Sequence, residues 1–203
     1  MNQKEQKYLD NQLIEAIKYK NLELVKSIVA QGANIHVNDF GLIWTAFNGD
    51  IKVMKYLVEQ GADIHENNDQ ELRNASFYGH LEVVKYLVEH GADIHAQNNS
   101  ALTSAISNGH VEVVKYLVEQ GADIDAKNNS ALKVALDNNH LEIIKYLLFD
   151  CQMQVKEETK DWLIKNQKKE VLDLIEKRDA SLNINTANNN SIEDLSKKNK
   201  NIL

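Results

Sequence analysis

The sequence predicts an all-α protein, a helical solenoid of stacked helix-turn-helix repeats. Three observations carry that prediction. Gly79-His80-Leu81-Glu82-Val83-Val84-Lys85-Tyr86-Leu87-Val88-Glu89-His90-Gly91-Ala92-Asp93-Ile94-His95 returns almost letter for letter between Gly109 and Asp125, with weaker copies at 49–65 and 139–150. The marker glycines Gly32, Gly61, Gly91 and Gly121 are spaced by 29, 30 and 30 residues, and each opens a Gly-Ala-(Asn/Asp)-Ile run. Within a unit, apolar residues recur at intervals of three and four. One such unit is too small to bury its own apolar face, so it is stable only when neighbours stack on it.

In chain order, residues 1–9 read as a polar lead. Asn11 to Gln31 reads as a first helix pair, with Leu13, Ala16 and Ile17 on one helix and Leu22, Val25, Ile28 and Val29 on the next. Its outer side carries Glu15, Lys18 and Lys20, as the end of a stack requires. Residues 1–36 are thus expected to form a lead and capping repeat. Four inner repeats follow at 37–65, 66–95, 96–125 and 126–150. The third shows the grammar best. Leu102, Ala105 and Ile106 fall on one face of a helix from Ser100 to Asn108. Gly109 ends it, because the residue after the last turn takes a left-handed conformation, and Asn139 fills that place in the last repeat. A second helix runs from Val111 to Glu119, with Val111, Val114, Leu117 and Val118 facing inward. Lys115 lies between Glu112 and Glu119 on the wet side.

Beyond Asp150 the lettering breaks down while helical spacing continues through Trp162, Leu163, Ile164, Val171, Leu172, Leu174 and Ile175. Residues 151–178 read as a helical C-terminal cap. From Asp179 onward Asn, Ser, Lys and Thr dominate, and 179–203 is expected to be a disordered tail.

These residues carry a specific resemblance. Asn108-Gly109-His110-Val111-Glu112-Val113-Val114-Lys115-Tyr116-Leu117-Val118-Glu119-Gln120-Gly121-Ala122-Asp123 resembles the second half of an ankyrin repeat, and Ser100-Ala101-Leu102-Thr103-Ser104-Ala105 stands where that family has Thr-Pro-Leu-His-x-Ala. The resemblance covers roughly residues 10 to 150 and implies an ankyrin-type solenoid. The repeats here are three or four residues short of the family's 33, and the loss falls where the family builds a β-hairpin. Blunt loops and little strand are expected. Pro and His of the Thr-Pro-Leu-His tetrapeptide are absent from every repeat, so the inter-repeat hydrogen bonds they supply in the family need another source. The wording, rich in Asn, Ile and Lys and without Pro, is similar to the ankyrin proteins of giant DNA viruses.

Composition narrows the function. No apolar run approaches the ~20 residues of a membrane span, and the N-terminal residues lack the apolar core of a secretory signal. The lone Cys151 makes no internal disulfide, which suits a reducing, cytoplasmic compartment, in a host cell if the viral resemblance holds. The formal charge is −7. Residues 1–150 hold 13 basic and 21 acidic side chains, a net of −8, while 151–178 carry +1 and 179–203 are neutral. An acidic array is ill suited to phosphate backbones or anionic membranes, so neither nucleic acid nor membrane is an expected partner.

No catalytic constellation is present: there is no Gly-rich phosphate loop, no Gly-x-Ser-x-Gly and no His-Glu-x-x-His. No cofactor is expected. Histidines recur at 80, 110 and 140, and at 65 and 95. Equivalent residues in stacked repeats stand about 8–10 Å apart, too far to converge on one zinc ion. They read as turn histidines bonding neighbouring backbone, and no metal site is expected. The tyrosines at 56, 86, 116 and 146 read as packing between repeats with their hydroxyls in water.

What remains is a surface. The repeated letters hold the stack, and letters that differ at equivalent positions are free to specify a partner. The two residues before the turn glycine are Phe47-Asn48, Phe77-Tyr78, Ser107-Asn108 and Asp137-Asn138. The resemblance places these positions on the concave groove, beside loop tips at Asn38-Asp39, Asn68-Asp69, Asn98-Asn99 and Asn128-Asn129. Trp44, Phe47, Phe77 and Tyr78 make the first half aromatic, and the second half is polar. Aromatic anchors in a polar surround are how interfaces concentrate energy. The expected function is a non-catalytic scaffold that binds one protein, as a monomer, through Trp44, Phe47, Asn48, Phe77, Tyr78, Ser107, Asn108, Asp137 and Asn138, with Asp39, Asp69, Asn99 and Asn129 at the tips. The viral resemblance implies an alternative, a substrate-recruiting adaptor for a host ubiquitin ligase acting through residues 151–203.

Overall fold

The structure, a computed structural model, describes residues 2–36, 40–65, 68–125 and 131–182. They fall into two compact units, divided between residues 140 and 141. The described residues are helices and turns, with no strand among them. In the first unit the helices come in pairs: α1 (Gln3–Lys18) and α2 (Leu22–Ala30), α3 (Phe40–Asn48) and α4 (Ile51–Glu59), α5 (Gln70–Phe77) and α6 (Leu81–Glu89), α7 (Ala96–Ser107) and α8 (Val111–Glu119), then α9 (Ala131–Asp137). The first helices α1, α3, α5, α7 and α9 pack side by side in one layer, and α2, α4, α6 and α8 pack side by side in a second. This is the expected solenoid of helix-turn-helix repeats.

One difference lies at the start. The polar lead is helical from Gln3, because Asn2 and Glu5 form a capping box: the Asn2 side chain accepts from the Lys4 and Glu5 amides, and Glu5 accepts from the Asn2 amide. α7 formally begins at Ala96, but Gln97, Asn98 and Asn99 have φ of 50, 60 and 59°, so regular helix begins at Ser100.

Both turn types of the repeat end a helix in the same way. After the second helix, the Ala62, Ala92 and Ala122 amides donate to the Leu57, Leu87 and Leu117 carbonyls across Gly61, Gly91 and Gly121. After the first helix, the His80 and His110 amides donate to Ala75 and Ala105 across Gly79 and Gly109. These are bonds from the second residue past the helix to its last turn, with the residue between them left-handed. The shortened loop then closes on a side chain. Asp63, Asp93 and Asp123 accept from the backbone amides of His65, His95 and Asp125, at 2.9, 2.8 and 2.8 Å. That bond turns the chain without a hairpin. It explains why Asn or Asp follows every Gly-Ala.

The core is the set of letters that repeat. Leu13, Leu42, Leu72, Leu102 and Leu132 are buried on the first helices, with Ala16, Ala75, Ala105 and Ala135 one turn on and Thr45 buried at the same place in the second repeat. On the second helices the buried set is Val113, Val114 and Leu117 rather than Val111, Val114, Leu117 and Val118. Val111 and Val118 are half-buried. The neighbouring second helix covers the Val113 side, a contact between repeats that spacing within one repeat does not reveal.

The open side of the first pair is less polar than an end cap requires. Leu24 is 45 % exposed, although its equivalents Val53, Val83 and Val113 are buried. With Tyr8, Tyr19 and Ile28 it lines an apolar recess of about 520 Å³.

The second unit holds α10 (Leu141–Lys145), which runs into a π-helical turn at Tyr146–Asp150, then α11 (Glu157–Lys165) and a last helix, α12, over residues 169–182. Leu147, Leu148, Met153, Leu163, Val171 and Ile175 are buried. Arg178, 5 % exposed, donates to the Met153 carbonyl and to Asp179, which ties α12 to the segment before α11. α12 runs past Asp179, where the composition places the start of the tail; residues 183–203 lie outside the described residues.

Candidate functional site

The site is set by the last turn of each first helix. Leu42, Thr45 and Ala46 face the core of α3, and Leu72, Ala75 and Ser76 that of α5. The next residue round the helix, Phe47 or Phe77, must then point away. Phe47 is 39 % exposed, Phe77 44 % and Tyr78 40 %.

The rings meet. Phe47 and Tyr78, in successive repeats, have centroids 4.4 Å apart with planes at 62°. Phe77 lies 4.8 Å from Tyr78, and Trp44 5.3 Å from Phe47, both edge to face. Edge-to-face rings are favourable and rigid. Trp44, whose face the sequence leaves ambiguous, is therefore part of the strip. It is half-buried, with the Lys18 ammonium 5.1 Å over its ring.

The backbone below is locked by the recurring histidines. His80 Nε2 bonds the Phe47 carbonyl at 3.0 Å, His110 Nε2 the Phe77 carbonyl at 2.8 Å, and His140 Nε2 the Ser107 carbonyl at 3.0 Å. Each bond spans 33 residues, so each joins one repeat to the next. They supply what the missing tetrapeptide does not, and they act on the helix ends that carry the exposed rings. To reach, the imidazole lies on the turn glycine of the preceding repeat. A Cβ on Gly49, Gly79 or Gly109 would stand 2.5, 2.4 or 2.8 Å from that ring. Where no histidine follows, a side chain is allowed: Lys20 and Asn139 adopt the same left-handed turn at φ of 55 and 58°. At Lys20 the following repeat offers Asp50, which turns inward to cap α4 by accepting from Lys52 and Val53. His80 and His110 cap nothing with their side chains, because their rings face the previous repeat.

The remaining expected positions divide. Asn48 is half-buried and donates to the Lys18 carbonyl at 3.2 Å. Asn108 and Asn138 are exposed and fold back on their own helices, onto Ser104 and Val134. Ser107 is half-buried, and Asp137 is exposed. Asn99 is corrected as a tip contact. It is 7 % exposed, and its side-chain oxygen lies 3.0 Å from the His95 ring and accepts from the Asp123 amide. Asp69, half-buried, faces the His65 ring at 3.3 Å. Both stand in left-handed backbone, at φ 59 and 55°, which Asn and Asp tolerate. They belong to the loop's own wiring. Asp39 and Asn129 lie outside the described residues.

Lys18, which the sequence places on the outer side of the capping repeat, and Tyr19, to which it gives no role, occupy in α1 the places of Phe47-Asn48 and Phe77-Tyr78. Counting back from the left-handed turn residue, Lys20, finds them. Tyr19 is 78 % exposed and also lines the recess of the first pair.

Elsewhere the residues are structural. Tyr56, Tyr86 and Tyr116 are half-buried between second helices. Burial, then nearby Glu59 or Glu89, raises the Tyr86 and Tyr116 phenols above their ordinary value. Burial also pushes the Cys151 thiol up, which keeps it protonated and a poor nucleophile. Among the described residues no three His, Cys, Asp or Glu side chains converge on a metal position, and no helix is long and apolar enough to cross a membrane.

A family model of ankyrin repeats, in three copies, matches residues 13–98 and again 96–159. No curated protein matches the chain.

Proposed function

This chain belongs to the ankyrin repeat family, whose repeats are generally protein–protein interaction modules, and from that premise we propose that it is a non-catalytic scaffold whose protein partner seats on the aromatic strip. One observation carries the proposal: Trp44, Phe47, Phe77 and Tyr78 form a continuous ladder across successive repeats while three of the four rings stay about 40 % exposed. Rings that only filled gaps between first helices would be covered.

The magnitude is adequate. An aromatic side chain offers 150–250 Å², so each exposed ring leaves roughly 80 Å² to cover, worth about 2 kcal/mol. That is the scale of an interface hot spot. The rings stand on helix ends fixed by inter-repeat hydrogen bonds, so little ordering cost remains at association.

The test is site-specific photo-crosslinking. A photoreactive phenylalanine analogue is placed at Tyr78 and, as control, at Glu119 on α8. The expected result is an adduct with one protein from position 78 and none from 119. That protein must also bind the Phe77→Ala/Tyr78→Ala variant more weakly. An adduct formed only from 119, or unchanged affinity for the variant, rejects the strip as the binding surface.

A further inference from the structure

The strip has a direction. Its equivalent positions read Lys18, Phe47, Phe77, Ser107 and Asp137 along the stack of first helices. At one end the Lys18 ammonium lies over Trp44 and pairs with Glu15 at 2.8 Å, and Lys20 donates to the Asn48 carbonyl at 2.6 Å. Lys18 is paired with Glu15, while Lys20 is exposed and makes no ion pair among the described residues, so that end presents an ammonium although the repeat region as a whole is acidic. The centre holds Phe47, Phe77 and Tyr78. Arg73, on α5, is engaged by the Gln97 side chain at 3.1 Å. At the far end Asp137 is exposed at the last residue of α9.

Asp137 is the informative residue. The C-terminal end of a helix carries partial negative charge and favours a cation, as Lys18 does at the end of α1. A carboxylate there costs stability. Lys133, one turn earlier and exposed, makes no ion pair with Asp137 within salt-bridge distance among the described residues. Among the described residues Asp137 makes no side-chain hydrogen bond or ion pair that offsets that cost, and it stands in register with Phe47 and Phe77 along the stack.

Resting on the reading given under Proposed function, we infer that the partner is a linear segment of protein ordered acidic, apolar, basic. Its apolar anchor covers Phe47, Phe77 and Tyr78, its acidic residue meets Lys18 and Lys20, and its basic residue meets Asp137. Neighbouring repeats stand about 8–10 Å apart, and an extended chain advances roughly 3.3 Å per residue. The acid therefore lies about three to six residues from the anchor, and the base roughly six to nine residues on the other side.

The test is selection of displayed random 16-residue peptides on the full chain, followed by direct binding of the selected peptides as synthetic probes. Selected peptides should carry an aromatic or large aliphatic residue with acid on one side and Lys or Arg on the other. Lys18→Glu/Lys20→Glu should weaken them several-fold, roughly threefold per exposed charge, and should select peptides with a base in place of the acid. Asp137→Lys, far along the stack, repeats the test independently at the other end. Circular dichroism shows whether either variant is unfolded. Peptides that need Phe77 and Tyr78 but show no charge order, or an order that the charge variants leave unchanged, overturn the polarity and leave the aromatic strip standing. Peptides indifferent to Phe77→Ala/Tyr78→Ala overturn both readings. Failure to enrich any peptide overturns the linear-segment partner.

Discussion

Replacing Gly79 by Ala tests the lock between repeats more sharply than any core truncation. Gly79 sits at φ +75°, and a Cβ there would stand 2.4 Å from His110 Nδ1. Left-handed backbone costs a side-chain-bearing residue about 1–2 kcal/mol. The imidazole must also withdraw, losing its bond to the Phe77 carbonyl, a further loss of about 0.5–1.5 kcal/mol. The expected cost is roughly 1.5–3.5 kcal/mol. Gly121 is the internal control: its φ is +96°, and nothing lies within 4 Å of the Cβ position. Gly121→Ala should therefore show only the backbone cost, about 1–2 kcal/mol. The assay is urea unfolding followed by circular dichroism, with both substitutions made in the wild-type and His110→Ala backgrounds. Removing the ring should cut the penalty at Gly79 by about 1 kcal/mol and leave that at Gly121 unchanged. Equal penalties at the two glycines, or strict additivity of Gly79→Ala with His110→Ala, would refute the imidazole–glycine lock.

Three further outcomes follow from the same structure. Leu102→Ala, at a 2 % exposed core position, should cost about 2–5 kcal/mol by leaving a cavity; an unchanged urea midpoint would show that the repeat frame is misplaced. Asn99→Ala should cost roughly 1 kcal/mol more than Asn98→Ala, because only Asn99 is buried and satisfies partners in its loop; thermal melts of the two variants make the comparison. Tyr86 and Tyr116 hold their protons more tightly folded than unfolded, chiefly through burial, so their contribution is complete below the ordinary phenol value of 10.0 and is lost as pH rises through the raised folded values. Melting temperatures measured from pH 9 upward should fall less steeply in Tyr86→Phe/Tyr116→Phe than in wild type, and parallel curves would contradict that burial.

Much of the fold was legible because each repeat repeats its solution. Gly-Ala-(Asn/Asp)-Ile encodes a left-handed helix stop followed by a side-chain turn, and every copy performs both. The shortened loops follow directly from the count of residues. Contacts between repeats were harder to read, since they leave no period within one unit. Val113 and Val111 both fit a helical stripe, and only the neighbouring second helix decides between them. The coupling of His80, His110 and His140 to Gly49, Gly79 and Gly109 is written 31 residues apart, and Lys20 and Asn139 are its two exceptions. The helical lead was signalled by Asn2 and Glu5, but a polar composition masked it. At the candidate site, Phe47, Phe77 and Tyr78 stood out because they break the repeat. Asn99 was expected at a loop tip from the resemblance and is internal, since a left-handed loop position also calls for Asn. The register of Lys18 and Tyr19 with the strip escaped notice because the first repeat has no turn glycine to count from.

The central claim is that the aromatic break in an otherwise uniform stack is there to be covered by another protein. Its most direct measurement is the affinity of the crosslinked partner for wild type and for Phe77→Ala/Tyr78→Ala, by titration calorimetry, with the melting temperatures of both. A loss of at least ~2 kcal/mol in binding, with the melting temperature nearly unchanged, is the predicted result. Undiminished affinity, or a melting temperature that collapses with it, would mean that these rings serve the stack and nothing else.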